Sequence, residues 1–347
     1  MKTIAVLFGG KSSEYEVSLQ SATAVLDALD QERYEVIKIG ITKSGEWYQY
    51  IGDNESISAD CWLEENCRQL TPAIGESWKG FTLLENQEPL PVDVLFPVMH
   101  GEFVEDGRIQ GVFEWMEVPY VGCGVASSAV CMNKKLTHRF ANSIGIKTAP
   151  SIQCSLAELD MNAIKKFIRK EGFPLFIKPL RGGSSKGISK LNELEELSKV
   201  IASVKEIDTH FILEKGVNGF EVGCGILGNE QLVIGEVDEI ELASGFFDYT
   251  EKYQLISSTI HMPARINETL KGEIKFQAER LYRLLGCRGL ARIDFFLTHN
   301  GEILLNEINT LPGFTEHSRY PSMLMNMGLS YREIVERLIQ LAEEGGK

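Results

Sequence analysis

A chain of 347 residues with 44% hydrophobic side chains can bury one large composite core or two to three smaller ones without cross-links. Its net charge of −14 repels polyphosphate backbones, which excludes nucleic acid as an expected partner and requires any bound anion to be held by a local cluster of cations. The seven cysteines are scattered without a C-x-x-C pair, which excludes a disulfide framework or zinc site, and no stretch approaches the roughly 20 apolar residues of a membrane span. The opening apolar run is too short for a secretory signal, so a cytoplasmic protein is expected.

In chain order, a strand over 3–8, a glycine turn at Gly9-Gly10, a helix over 18–29 and a strand over 34–41 give the β-turn-α-β order of a parallel, doubly wound sheet. An apolar run over 90–99 ends at His100-Gly101 and leads through a polar stretch to a helix over 107–116. Loops at the carboxyl ends of parallel strands are where such sheets bind ligands. From about Asn133 the pattern becomes a helix, a strand near Ile152, a helix over 156–170, a strand over 175–179, a glycine-rich loop, a helix over 192–204 and a strand over 211–215. The remainder has long strand pairs, a helix over 268–285, a hairpin over 289–308 and a closing helix over 331–344. The fold class is therefore α/β and α+β: an N-terminal doubly wound domain (1–132) followed by two α+β lobes (133–218 and 219–347).

The hairpin is the most informative segment. Two strands flank the polar turn Thr298-His299-Asn300-Gly301. With that four-residue loop, Leu297 pairs with Glu302, Arg292 falls opposite Glu307 and Asp294 opposite Leu305. Arg292, Asp294, Glu307 and Asn309 then share one face, with Asp294 and Glu307 diagonal neighbours at about 7–8 Å. Oxygen ligands without histidine or cysteine favour magnesium. The bland alternative is a solvent-facing strand with an Arg292–Glu307 surface pair; four polar groups converging on one face of otherwise apolar strands weigh against it.

The second feature is the strand and loop from Phe176 to Gly187, carrying Lys178, Gly182, Gly183, Ser184, Ser185 and Lys186. Glycines let backbone amides close around phosphate oxygens, and Lys178 supplies a charge beside them. The order is not that of a Walker loop. One helix later, a strand ends in Glu214-Lys215, whose backbone can hydrogen-bond an adenine edge.

These residues carry a resemblance. The chain resembles the ATP-grasp superfamily and, within it, the D-alanine:D-alanine ligase family, from residue 4 to about residue 342. The matching segments are Gly9-Gly10 with Glu14-x-Glu16-Val17-Ser18, His100-Gly101 with Glu105-Asp106-Gly107 and Gln110-Gly111, Lys178-Pro179 with Gly183-Ser184-Ser185, Glu214-Lys215, Tyr249 to Tyr253, Gly289 to Asp294, and Asn306-Glu307-x-Asn309-Thr310-x-Pro312-Gly313-Phe314-Thr315. The resemblance implies an ATP- and magnesium-dependent ligase that joins two D-amino acids through an acyl phosphate, with two magnesium ions, manganese as a substitute, and a homodimer. It makes Asp294, Glu307 and Asn309 metal ligands. It makes Lys134, Lys178, Ser184, Glu214, Lys215, Glu221 and Lys252 nucleotide-binding residues. Glu14 would hold the first substrate's ammonium with His100 near its carboxylate, Arg292 and the Gly313 amide would stabilise the oxyanion, and Glu14, Ser184 and Tyr253 would form a triad that closes over the site and shuts out water.

The chain departs from the family pattern at Glu102-Phe103-Val104, at Asn133 in place of the usual aspartate, and at Lys186. Two positions bear on the second substrate. The family usually has Tyr-Asp-Tyr in the mobile loop and His-Ser-Leu after the Pro-Gly turn, whereas this chain has Phe247-Asp248-Tyr249 and His317-Ser318-Arg319. In both it is similar to the vancomycin-resistance D-alanine:D-serine ligases. Losing a hydroxyl at Phe247 and gaining donors at Arg319 makes the pocket roomier and more polar. The expected substrates are D-alanine, D-serine and ATP, with a housekeeping D-alanine:D-alanine ligase, and from another class a catalytically silent nucleotide-binding regulator, as the alternatives.

Overall fold

The computed structural model describes residues 1–64, 66–183, 186–242 and 258–345. Strand β1 (Lys2–Gly9) is buried from Ile4 onward, and helix α1 (Tyr15–Ala28) carries the chain across to β2 (Tyr34–Ile41), which pairs with β1 in parallel from Lys2↔Tyr34 to Gly9↔Ile41. Near-continuous apolar runs are what strands covered on both faces require. The sheet then extends through antiparallel strands β3 (Trp47–Tyr50), β4 (Cys67–Pro72), β5 (Gly80–Leu83) and β6 (Pro89–Pro91), with the short α2 (Glu55–Ser58) between β3 and β4. Strand β7 (Val94–Pro97) returns to the free side of β1 in parallel, so the order is β6-β5-β4-β3-β2-β1-β7. The expected apolar run over 90–99 is thus two elements. Its two prolines, Pro91 in β6 and Pro97 in β7, lie on the two edge strands of the sheet, where a missing N–H is tolerated.

Helices α3 (Arg108–Met116), α4 (Val125–Met132) and α5 (Lys134–Ser143) lead to the second sheet. Asn133 caps α5 by accepting from the Leu136 amide at 3.1 Å, so this departure from the family pattern keeps the cap. The second sheet has the order β10-β9-β11-β8 and comprises β8 (Ser151–Ser155), β9 (Leu175–Pro179), β10 (Ser189–Leu191) and β11 (His210–Lys215). It is crossed by α6 (Met161–Glu171) and α7 (Leu197–Lys205). The expected helix over 156–170 begins at Met161 because Asp160 caps it, accepting from the amides of Asn162 and Ala163.

The third sheet, β14-β13-β12-β15-β16, is antiparallel: β12 (Gly219–Gly228), β13 (Leu232–Leu242), β14 (Ser258–His261), β15 (Leu290–Thr298) and β16 (Ile303–Asn309). Helix α8 (Glu268–Leu284) packs on β12 and β13, followed in sequence by α9 (Arg319–Met325) and α10 (Tyr331–Gly345). Helix α10 buries Ile334, Val335 and Leu338 in the same core as Ile4, Val6 and Phe8 of β1 and Leu19 and Val25 of α1. No helix among the described residues is long and apolar enough to cross a membrane.

Trp62 is 1% exposed and shows how tightly the first core is filled. Its ring meets Phe8 edge-on at 5.1 Å, and its indole N–H donates to the Tyr15 hydroxyl at 2.9 Å. A Cβ on Gly40 would stand 2.3 Å from that ring. Gly40→Ala is therefore expected to destabilise the protein by about 1–3 kcal/mol through overpacking, read as a lower urea midpoint at unchanged slope.

Candidate active site

The β15–β16 hairpin differs in register from expectation. Leu297 pairs with Ile303 rather than Glu302, because Thr298 and Glu302 close the turn themselves through the Thr298 amide and the Glu302 carbonyl at 2.9 Å. A bulge then skips Asn306, so Asp294 stands opposite Glu307 and Arg292 opposite Asn309. Each one-residue slip turns a strand over. The longer turn and the bulge together add two, which restores the shared face of Arg292, Asp294, Glu307 and Asn309 while placing the two carboxylates directly opposite rather than diagonal.

Asp294 is fully buried and takes Arg292 on both oxygens, Nε at 2.9 and 3.1 Å and Nη2 at 2.8 Å, while the Asn309 amide donates to Oδ2 at 2.8 Å. Arg292 therefore pairs with its own-strand neighbour and not with Glu307 as in the surface-pair alternative. Burial opposes ionisation of Asp294, but Arg292 and Arg319 outweigh it and hold the carboxyl below its usual range.

Arg319, the first residue of α9, reaches the same point from the other side. Its Nε and Nη2 bind Asp238 of β13 in a fork at 2.6 and 2.8 Å, Nη1 binds Glu221 of β12 at 2.8 Å, and Nη2 lies 3.4 Å from Asp294. The guanidinium sits over Gly223, which pairs with Asp238 on one side and Asp294 on the other. A Cβ on Gly223 would stand 2.5 Å from Arg319 Nη2 and 2.8 Å from both aspartates, so only glycine admits the arrangement. Asp238 was not legible as a site residue, since nothing in the acidic run Glu236 to Glu241 sets it apart; the structure marks it through Gly223, on the strand between β13 and β15.

Lys178 and Glu214 each lie one residue before the end of their strands, β9 and β11; Lys178 Nζ binds Glu214 Oε1 at 2.5 Å and lies 3.3 Å from Oδ1 of Asn306, the bulged residue. Lys134, at the start of α5, donates to the Gly182 carbonyl at 2.5 Å and so reaches the glycine-rich loop. The Lys215 side chain is not brought to them: its ammonium rests on the carbonyls of Gly172 and Phe173, at 3.3 and 2.9 Å. Glu221 pairs with Arg319 at 2.8 Å.

Glu14 precedes α1 and is buried where the first sheet meets the second. Cβ atoms on Gly101 and Gly183 would each lie within 3 Å of its Oε1, at 2.9 and 2.8 Å. Gly101, at φ +82°, donates to Glu105 Oε1 at 2.8 Å. His100 donates from Nδ1 to the Leu311 carbonyl at 2.9 Å and accepts at Nε2 from Ser21 at 3.2 Å. Burial pushes its pKa down, so the ring is neutral. Burial and the neighbouring Glu14 push the Glu105 carboxyl up. A small cavity is lined by Glu105, Lys134, Gly183, Glu307 and Asn309, joining the three groups. The larger cavity of about 760 Å³ beside Arg283, Arg288 and Arg337 includes none of these residues.

Gly313 lies beside Ser318, whose hydroxyl accepts from the Thr315 amide at 3.0 Å and so fixes the turn before Arg319. Ser184, Phe247, Lys252 and Tyr253 lie outside the described residues. Asp294, Glu307 and Asn309 offer hard oxygen donors alone, which fits a magnesium ion better than a softer metal.

Family models described as D-ala D-ala ligase N-terminus and D-ala D-ala ligase C-terminus match residues 3–123 and 140–340. The chain is 53% identical over 346 residues, 99% of each chain, to the vancomycin C-type resistance protein VanC1 of Enterococcus gallinarum, and 41% identical to the vancomycin/teicoplanin A-type resistance protein VanA of Enterococcus faecium, over 99% of this chain and 98% of that one. The crystal structure of the VanG D-Ala:D-Ser ligase from Enterococcus faecalis superposes with a TM-score of 0.91 at 47% identity, covering 98% of this chain and 99% of that one.

Removing one member of a buried ion pair strands its partner. Asp238→Asn is expected to destabilise the protein by about 3–5 kcal/mol in chemical denaturation. Adding Arg319→Leu should recover much of that loss, so the double variant falls well short of the sum of the two singles.

Proposed function

The chain belongs to the D-alanine–D-alanine ligase family of ATP-dependent, ATP-grasp ligases, and from that premise we propose that it joins D-alanine to D-serine through a D-alanyl phosphate. The product would enter peptidoglycan precursors ending in D-Ala-D-Ser, which weakens glycopeptide binding. The observation that carries the choice of second substrate is the buried guanidinium of Arg319, held in a fork by Asp238. Asp238 and Glu221 take three of its five N–H donors, and the rest give the pocket a directional polarity that leucine lacks. A site built to hydrogen-bond a hydroxyl rejects the substrate lacking one, because its own polar groups are then left unpaired.

In this reading Lys134, Lys178 and Lys252 hold the phosphates of ATP, with Ser184, Glu214 and Lys215 along the nucleotide. Asp294, Glu307 and Asn309 hold magnesium, for which manganese can substitute; bound there, the metal neutralises charge on the transferring phosphoryl group. Glu14 anchors the ammonium of D-alanine with His100 beside it. The D-alanine carboxylate oxygen bonds to the γ-phosphorus as the bond to ADP breaks. The D-serine amine then bonds to the acyl carbon, Arg292 and the Gly313 amide stabilise the oxyanion, and inorganic phosphate leaves as the nitrogen loses its proton. Closure of Tyr253 and Ser184 on Glu14 excludes water that would hydrolyse the acyl phosphate. The three-part division at 132 and 218, a homodimer and a cytoplasmic location belong to the same reading.

The test is product identification by mass spectrometry after incubation with ATP, magnesium and equimolar D-alanine and D-serine. The mixed dipeptide should dominate, and Phe247→Tyr with Arg319→Leu should shift the product to D-alanyl-D-alanine. Dominance of D-alanyl-D-alanine in the wild type would instead identify a housekeeping ligase, and folded protein that binds ATP without releasing phosphate would identify a silent regulator. Glu307→Gln should lower phosphate release by about 100-fold or more.

A further inference from the structure

His138 of α5 stands behind the Lys178–Glu214 pair and has no part in the reading above. Its side chain is 2% exposed. Nε2 lies 3.1 Å from the Asn306 carbonyl, and since a carbonyl oxygen only accepts, that nitrogen carries the hydrogen. In the neutral ring Nδ1 is then a bare lone pair. It is buried without a hydrogen-bond partner among the described residues and lies 4.0 Å from Glu214 Oε2, so an acceptor faces an acceptor. A buried polar atom left in this way is normally satisfied in some state of the protein.

The charges around it explain why the ring tolerates this position. Glu214 faces it from β11, Lys178 from β9 and Lys135 from its own helix; β16 presents the uncharged Asn306, and α4, which also packs on α5, has no charged residue. Lys178 neutralises Glu214 at 2.5 Å, and Lys135 is engaged by the Ser151 carbonyl at 2.8 Å. Burial foremost holds the imidazole pKa down, with Glu214 opposing and Lys178 and Lys135 contributing in the same sense as burial. Without nucleotide the ring is neutral.

We propose that His138 is a positioning residue for nucleotide binding: when phosphate oxygens draw Lys178 off Glu214, His138 takes one proton from solvent at Nδ1 and donates it to Glu214 Oε2, holding that carboxylate in place. The inference rests on the nucleotide reading of Lys178 and Glu214. Its physical basis is that Glu214 is buried and cannot lose the cation paired with it, Lys178, without a replacement. His138 is already within a small side-chain movement of supplying one. Removal of Lys178 also removes a charge that keeps the ring unprotonated, so the two movements favour each other.

The experiment is isothermal titration calorimetry of the magnesium complex of a β,γ-imido ATP analogue at pH 8, repeated in buffers of different ionisation heat. At that pH the nucleotide phosphates are deprotonated, so buffer-dependent heat counts protons taken up by the protein. The wild type should take up up to one proton per nucleotide bound, while His138→Asn and His138→Gln should take up none and bind more weakly. A wild type that binds the analogue with no buffer-dependent heat overturns the role of His138 and leaves the nucleotide reading standing, as does equal uptake in the folded variants. If folded wild type does not bind the analogue, the nucleotide reading fails and the inference with it. If one variant does not fold, the other supplies the comparison with the wild-type proton count.

Discussion

Arg319 lies on the bare backbone of Gly223 with an aspartate on either side, and the arrangement of the C-terminal sheet follows from keeping that guanidinium paired. A buried cation of this kind is tolerable only when its neighbours supply nearly all of its compensation. Here the compensation comes from three adjacent strands and one helix: Asp238 on β13, Glu221 and the Gly223 gap on β12, Asp294 on β15, and Arg319 itself at the start of α9. Strand register, the absence of a Cβ and the entry angle of α9 are fixed together, because a shift in any of them strands a charge.

The same cluster links two parts of the chemistry. Asp294 shares its carboxylate between Arg292, the group proposed for the oxyanion, and Arg319, the group proposed for the second substrate, and the Asn309 amide also donates to it. In the proposed reading, the residue that tunes substrate choice is joined through one shared carboxylate to the group that stabilises the oxyanion.

Much of the architecture was legible because its signals are local. The β1-α1-β2 unit announces itself through unbroken apolar runs separated by a glycine turn, and α6 through its own pattern, although it was read five residues too early because the capping Asp160 was passed over. Strands β3 to β6 were not, since they are three to six residues long, partly polar and defined by pairing with one another rather than by periodicity. The hairpin shows the limit most clearly. Its polar face could be read by alternation, but its register depended on a turn that closes one residue later and a bulge at Asn306, neither of which leaves a mark in composition. Asp238 and His138 were hidden for the opposite reason: each is unremarkable alone and becomes significant only through the strand or helix set beside it.

The seating of α10 against β1 has a consequence for how the chain reaches this state. Ile334, Val335 and Leu338 fill the core that Ile4, Val6 and Phe8 begin, and Lys2 pairs with Glu343 at the two ends. During vectorial synthesis the first sheet therefore emerges with this apolar face covered only in part, by α1, until α10 has also left the ribosome. The N-terminal unit is thus made before the other two sheets, and its core is completed only by a helix made after both of them.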